Sequence, residues 1–380
     1  MKLAYVTQYD STNIINWSGS GYYIAQSLLE NNILVEYIYP LKEKYSIFFK
    51  GKQYLYKYLF NKKYLRDREP VILKSYAQQI AKKLSGRNID IVFSPGTIPI
   101  TYLECKQPIV FWTDSTFAGM IDFYPNWSNL SKKTIWNGNT MERFALNRCS
   151  LAIYSSEWAA QTAINYYKIN PNKIKVVPFG ANIASNRNLD DIKEIINRRS
   201  SSKCNLLFLG VDWLRKGGDV ALKVAEELNK SGLETELTIA GCNPILNKPL
   251  PNFVKTLGFI SKKTKKGKSE INRLLAQSHF LILPSKAEAF GIVFCEANSF
   301  GVPCLSTNVG GIPTVIKDGL NGKTFSKDAN IDEYCKYISN LFLNYSHYKK
   351  LALSSFNEYQ NRLNWSVAGE AVKKLLEDLI

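Results

Sequence analysis

Residues 280–308 read FLILPSKAEAFGIVFCEANSFGVPCLSTN, and few folds can hold such a stretch. Phe280, Leu281, Ile282 and Leu283 are apolar at every position, so a strand made of them is covered on both faces, as in a parallel sheet. Pro284 and Ser285 end that strand. Glu288, Ala289, Phe290 and Gly291 make a turn. Ile292 to Phe300 is predicted to be a helix closed by Gly301, with Pro303 beyond it. The order is strand, acidic turn, helix, strand.

The start of such a helix offers backbone N–H groups with no partner inside the helix, together with the positive end of its macrodipole. Both suit a phosphate. Gly291, having no Cβ, lets the backbone come close to a ligand. Glu288 precedes the helix start, and Glu296 lies about five residues into it, roughly 7 Å further along the axis. One carboxylate then stands on each side of an anion held there. A nucleotide-sugar presents its groups in this order: sugar hydroxyls, diphosphate, ribose hydroxyls. Carboxylates accept hydrogen bonds from vicinal hydroxyls, while amides hold the phosphates.

The two glutamates stand in EAFGIVFCEA, followed by GVPCLSTNVGGIPTVIKDGLNG. In this setting they resemble the donor signature of the family-4 retaining glycosyltransferases of the GT-B fold (glycosyl transferases group 1). The FG, GVP, GG and GxxG elements in order make the match specific; the glutamate pair alone is weak, since an ordinary strand–helix unit with solvated glutamates carries the same spacing. The resemblance implies an α/β, GT-B architecture of two Rossmann-like, doubly wound domains facing across a cleft. It implies an acceptor domain over residues 1–185 and a nucleotide-sugar domain over 200–355. A C-terminal helix, 360–380, is expected to pack back on the first domain.

Length agrees with two domains, because 380 residues exceed the size at which one core usually keeps growing. No apolar run approaches the about 18 residues of a membrane span, and MKLAYVTQYD turns polar too soon for a signal peptide. The seven cysteines lie singly without CxxC spacing, so they read as small buried residues of a reducing cytosol. The expected location is cytoplasmic, peripheral on the inner face of the plasma membrane.

The net charge of +17 is local. Residues 41–87 hold thirteen Lys or Arg against three acids, and residues 261–273 hold six against one. Such patches seek phosphates. From Leu41 to Leu65 the lysines alternate with aromatics. This mixture suits an anionic membrane surface, and less well single-stranded nucleic acid. It equally describes a helix with a solvated basic face and an aromatic core face. The lysine-rich residues 261–270 read as a solvated loop.

Taken in order, Lys2 to Thr7 is a strand. Gly19, Ser20 and Gly21 then open a helix over about Tyr22 to Glu30, and Ile33 to Tyr39 is the next strand. As a dinucleotide fingerprint GSG is weak. In the resembling family the matching loop faces the donor's phosphates; otherwise it is a helix-start turn. Further strands end at Ser94, Trp112, Ser155 and Pro178. Asp114 follows one of these strand ends, where ligands gather. Many relatives place a histidine there, but the two histidines here, His279 and His347, lie elsewhere. Asp114 either orients the acceptor hydroxyl or caps the next helix. Phe179 to Asn182 ends the first domain, and residues 187–202 form a polar connection.

The second domain opens with the strand Asn205 to Gly210, then Arg215 and Lys216 before a helix over about Asp219 to Ser231. Two cations ahead of a helix start make a diphosphate clamp, or else two solvated loop cations. Lys216 fits the family's usual basic position. Where relatives often carry an arginine this chain has Val211, and Arg215 is the candidate substitute. Further strands cover Leu237 to Gly241 and Val254 to Leu257. Trp365 to Ile380 is predicted helical.

The resemblance then implies the roles. Arg215, Lys216 and the amides of Ile292 and Val293 hold the diphosphate of a UDP-, GDP- or ADP-sugar. Glu296 binds the ribose, Gly258 and Phe259 wall the base, and Glu288 holds the sugar with amides near Phe290 and Gly291. Glu288, Lys216, Arg215 and Asp114 form the catalytic set. No D-x-D motif occurs, so neither metal nor cofactor is expected. The acceptor is a glycan or lipid-linked precursor. Other readings are a disaccharide synthase or phosphorylase on the same fold, and a nucleic-acid-directed glycosyltransferase or nucleic-acid-binding protein.

Overall fold

In a computed structural model of the chain the described residues are 1–183, 187–246 and 249–380. They divide into two compact units, Met1–Phe179 with Trp365–Ile380, and Gly180–Asn364. The expected first-domain limit at residue 185 lies outside the described residues.

In the first unit a parallel sheet is built from β1 (Lys2–Val6), β2 (Leu34–Ile38), β3 (Ile91–Ser94), β4 (Ile109–Thr113), β5 (Leu151–Tyr154) and β6 (Ile174–Val176). Among the described residues the order is β2-β1-β3-β4-β5-β6. Leu3 stands opposite Val35 on one side and Ile91 on the other. Leu3 to Val6, Ile91 to Phe93 and Val110 to Trp112 are fully buried, as strands covered on both faces must be. The chain passes from β1 to β2, then crosses to β3 on the opposite side. That reversal opens a crevice at the carboxyl ends of β1 and β3.

The helix Trp365–Glu377 belongs to this unit, while the helix before it, Tyr345–Arg362, belongs to the other. A Cβ on Gly369 would lie 2.5 Å from the carbonyl oxygen of Ser27, so only glycine allows this close approach to the helix Ser20–Glu30. Trp365 stacks on Tyr23 at 6.1 Å and meets Trp112 and Phe179 edge-on or tilted.

The second unit repeats the plan with β7 (Cys204–Leu209), β8 (Thr235–Ala240), β9 (Val254–Thr256), β10 (Phe280–Leu283), β11 (Cys304–Thr307) and β12 (Gly322–Phe325). Its order is β12-β11-β10-β7-β8-β9, all parallel. Here the reversal falls between β7 and β10. Both units are thus Rossmann-like, doubly wound sheets.

Three local expectations are corrected. Residues 187–202 are not merely a connection: Leu189–Asn197 is a helix. Asn188 and Asp191 close a reciprocal capping box at its start, and Ile192 and Ile196, four apart, are buried. Beyond it the buried Arg199 donates to the carbonyls of Phe300 and Gly301 at 2.8 and 2.7 Å and to the Tyr348 hydroxyl. The helix after Gly291 covers only Ile292–Asn298, because Phe300 and Gly301 N–H groups turn back to Ala297 and Asn298 in tighter bonds. The lysine-rich segment is not all solvated loop. Thr264 caps a helix, Lys265–Gln277, by accepting from Gly267 N–H.

Candidate active site

The carboxyl ends of β7 and β10 carry the two loops on which the site is built. After β7 the chain runs through Asp212 and Trp213 to Arg215 and Lys216, and Gly217, with φ +73°, caps the helix Gly218–Lys230. Asp212 accepts from the Arg215 N–H at 3.0 Å and pairs with its Nε at 3.5 Å. The Lys286 N–H donates to the Arg215 carbonyl at 2.7 Å. A Cβ on Gly217 would sit 2.1 Å from the carbonyl oxygen of Pro284, so the two loops touch backbone to backbone. They are interlocked rather than merely adjacent.

This arrangement brings three predicted residues together. Lys216 Nζ donates to Glu288 Oε2, and Arg215 reaches the same oxygen at 3.4 Å while donating to the Ala287 carbonyl at 2.8 Å. The Lys216 and Glu288 side chains are only 9% and 13% exposed, so their charges act with little screening by water. Val211, where the resemblance implied an arginine, is exposed; Arg215 is the cation that arrives.

Gly291 caps the helix Ile292–Asn298 with φ +97°. A Cβ there would meet the Phe294 ring at 2.5 Å and Glu288 Cγ at 3.3 Å. The Phe294 N–H closes the first turn on the Gly291 carbonyl. The amides of Ile292 and Val293 stand ahead of that bond, at half-buried positions. Phe290 is buried and can serve a ligand through its backbone rather than its ring.

Glu296 is fully buried, and Lys262 Nζ bonds both of its carboxylate oxygens, at 2.5 and 2.6 Å. The sequence reading missed Lys262 by counting it among solvated lysines. The available signal was Glu296 itself, since a carboxylate inside a core helix needs a cation or several donors. Just before Lys262 in the chain, Gly258, with φ +61°, accepts from the Gly241 N–H at 2.8 Å, and Phe259 is 74% exposed.

The remaining predicted residues lie in the first unit. Gly19 takes φ +88° and caps the helix Ser20–Glu30, and the Tyr5 hydroxyl donates to the Gly21 carbonyl at 2.7 Å. A Cβ on Gly21 would lie 2.5 Å from the Tyr9 hydroxyl oxygen. Asp114 follows β4 and accepts from the Ser115 hydroxyl at 3.0 Å. Burial, and then the charge of Asp114, push the Tyr9 phenol well above its usual range. The Tyr9 hydroxyl thus lies against Gly21 and feels the charge of Asp114, a proximity the sequence did not suggest. Asp114 does not cap the helix Phe117–Met120; Thr116 does, by accepting from Gly119 N–H at 3.0 Å. Behind this loop Glu142 is fully buried. It accepts from the Thr97 hydroxyl at 2.7 Å and is pushed up to about 7 by burial, against the pull of Thr97 and Arg68.

Residues 190–355 match the family described as glycosyl transferases group 1, and residues 23–185 match glycosyltransferase family 4. The chain is a glycosyltransferase. This glycosyltransferase is similar to an uncharacterised 41.2 kDa protein in the cps region of Klebsiella pneumoniae, 29% identical over 67% of this chain and 75% of that one. It spans about half or less of the length of other curated relatives it matches. Solved structures also align along its whole length. Sucrose-phosphate synthase of Thermosynechococcus elongatus has a TM-score of 0.68 at 12% identity, with 99% of that chain covered. Anabaena HepE, in complex with UDP and glucose, has 0.61 at 16% identity, with 100% covered. At such identities the likeness establishes the fold, which is GT-B.

Proposed function

We propose that this glycosyltransferase moves a hexose from a nucleoside-diphosphate sugar to a hydroxyl of a glycan or lipid-linked acceptor, with retention of anomeric configuration, without a metal, and on the cytoplasmic side of a membrane. The observation that carries the reading is the meeting of Lys216 and Arg215 with Glu288 at the carboxyl ends of β7 and β10. A diphosphate competes for the two cations, and sugar hydroxyls compete for the carboxylate. As the glycosidic bond breaks, negative charge grows on the leaving diphosphate. Fixed, poorly hydrated cations favour that charge more than the ground state, and this difference is the source of rate. They supply the positive charge a divalent ion provides in other sites.

The acceptor attacks from the face the diphosphate leaves, and its proton passes to a phosphate oxygen, so no strong protein base is required. Glu296 binds the ribose hydroxyls, which share it with the Lys262 ammonium. The exposed Phe259 ring stacks on the base. Gly19, Ser20 and Gly21 contribute to holding the phosphates, and Asp114 orients the acceptor hydroxyl. The UDP named with Anabaena HepE supports trying UDP-sugars first.

A thermal-shift screen against UDP-, GDP- and ADP-hexoses tests the donor. A ligand at a hundred times its Kd adds about 2.7 kcal/mol, which raises the melting temperature by about 5–10 °C in a unit of this size. The absence of a shift with every nucleotide-sugar would refute the donor reading. A product of inverted configuration, seen by NMR, would refute retention.

A further inference from the structure

We propose that the helix Ser46–Leu59 is a docking face for an anionic lipid surface. This helix is apolar on two opposite sides. Its inner side is fixed by Phe49, which is 6% exposed, by Tyr56 stacked on Tyr64 at 5.0 Å, and by Lys52 bonded to Glu69 at 3.0 Å. At 100° per residue, Ile47, Phe48, Tyr54, Leu55, Tyr58 and Leu59 fall together on the other side. They are 48% to 85% exposed. A Cβ on Gly51, in the middle of this stripe, would meet nothing within 4 Å. The aromatics of this segment therefore do not all face the core, as one reading of the sequence had it.

Charge selects the occupant. The three acids of residues 41–87 are each engaged by a nearby cation: Glu43 by Arg66, Asp67 by Arg68 and Glu69 by Lys52. Lys50 and Lys57 on the helix, and Lys44, Lys62 and Lys63 in the segments that flank it, are exposed with no local acid left to balance them. Lys62 and Lys63 bond the neutral Asn129 side chain and Pro125 carbonyl. Six large apolar side chains in one stripe mark a contact surface. Lysines beside them fit a partner that is apolar inside and anionic at its rim. A bilayer rich in acidic lipid is that partner: the stripe enters the acyl boundary and the lysine stems reach the phosphates. Tyr54 and Tyr58, stacked in parallel at 6.1 Å, suit the headgroup level. At 14 residues the helix is about 21 Å long, too short to span and long enough to lie in the interface.

Nucleic acid fits less well, because Ile47, Leu55 and Leu59 offer no ring for a base to stack on. A second copy of the chain would set Lys50 and Lys57 against their own equivalents across a twofold contact. The inference uses the first unit alone and does not depend on the donor reading.

The test is sedimentation of the full chain with extruded vesicles. One set contains equal parts of phosphatidylglycerol and phosphatidylcholine, the other phosphatidylcholine alone. The chain should pellet with the first and stay in solution with the second, and should be released as salt rises from about 0.1 M to about 1 M. Combined Ile47→Ser, Leu55→Ser and Leu59→Ser should lower partition at least tenfold. Each of Lys50→Glu and Lys57→Glu should lower it at least fivefold. These side chains are exposed, so melting temperatures and calorimetric nucleotide-sugar binding without vesicles should not change. Four results would overturn the proposal: no pelleting with the anionic vesicles, equal pelleting with both sets, variants that pellet like the parent, or a dimer in solution that the serine variant dissolves.

Discussion

Gly217→Ala probes whether the site depends on the interlock of its two loops. The substitution acts twice. An alanine at φ +73° costs about 1–2 kcal/mol for its left-handed backbone alone. Its Cβ would also lie 2.1 Å from the Pro284 carbonyl oxygen and 2.8 Å from the carbon, so one loop must retreat by about 1 Å or more, adding about 1–3 kcal/mol. The expected loss of stability is about 2–5 kcal/mol, read from urea unfolding. A shift of that size between Lys216 and Glu288 should lower turnover about a hundredfold. Gly232→Ala is the control, because Gly232 has φ +92° with nothing within 4 Å of its Cβ position. It should cost about 1–2 kcal/mol and leave turnover alone. If the two variants unfold alike and turn over alike, the interlock does not set the site's geometry.

Three other outcomes follow from the same geometry. Lys216→Met should lower turnover about a hundredfold to a thousandfold, since it removes the nearest cation from the developing charge; near-normal rates would remove Lys216 from the mechanism. Glu296→Gln should weaken nucleotide-sugar binding about tenfold to a hundredfold by calorimetry, as expected for losing a charged acceptor, and an unchanged Kd would dismiss the ribose role. Glu142 keeps its proton to about 7 in the fold against 4.5 ordinarily, so the folded chain binds the extra proton and stability falls as pH rises through that window. The loss is about 3 kcal/mol. Glu142→Gln should remove that part of the difference in urea midpoint between about pH 5 and about pH 8; a variant with the parent's pH dependence would contradict this.

What could be read beforehand was whatever is written within one strand–loop–helix unit. Glu288 and Lys216 each sit a few residues beyond an apolar run, so both could be placed at strand ends before their meeting was known. The pairing of Lys262 with Glu296 joins residues 34 apart, and nothing local in SKKTKKGK distinguishes one lysine from its neighbours. The helix Leu189–Asn197 was hidden because its charged residues outweigh the stripe of Leu189, Ile192 and Ile196. At Asp114 the cap role went to Thr116, whose hydroxyl reaches the Gly119 amide from the correct position. For Ser46–Leu59 the mixture of lysines and aromatics suited a membrane surface and an aromatic core face equally, and only tertiary packing decides which apolar side chains are covered. Phe49 and Tyr56 went inward, and the larger stripe was left outside.

The seat of Trp365 between Tyr23, Trp112 and Phe179 bears on how this protein is made. On the ribosome, the residues of the first sheet emerge well before the helix that covers Tyr23 and Ser27. In between, the whole of the second unit must be synthesised. Until residues 365–376 appear, the nascent first unit carries an open apolar seat for an indole, and a chaperone or a premature collapse has that interval in which to act.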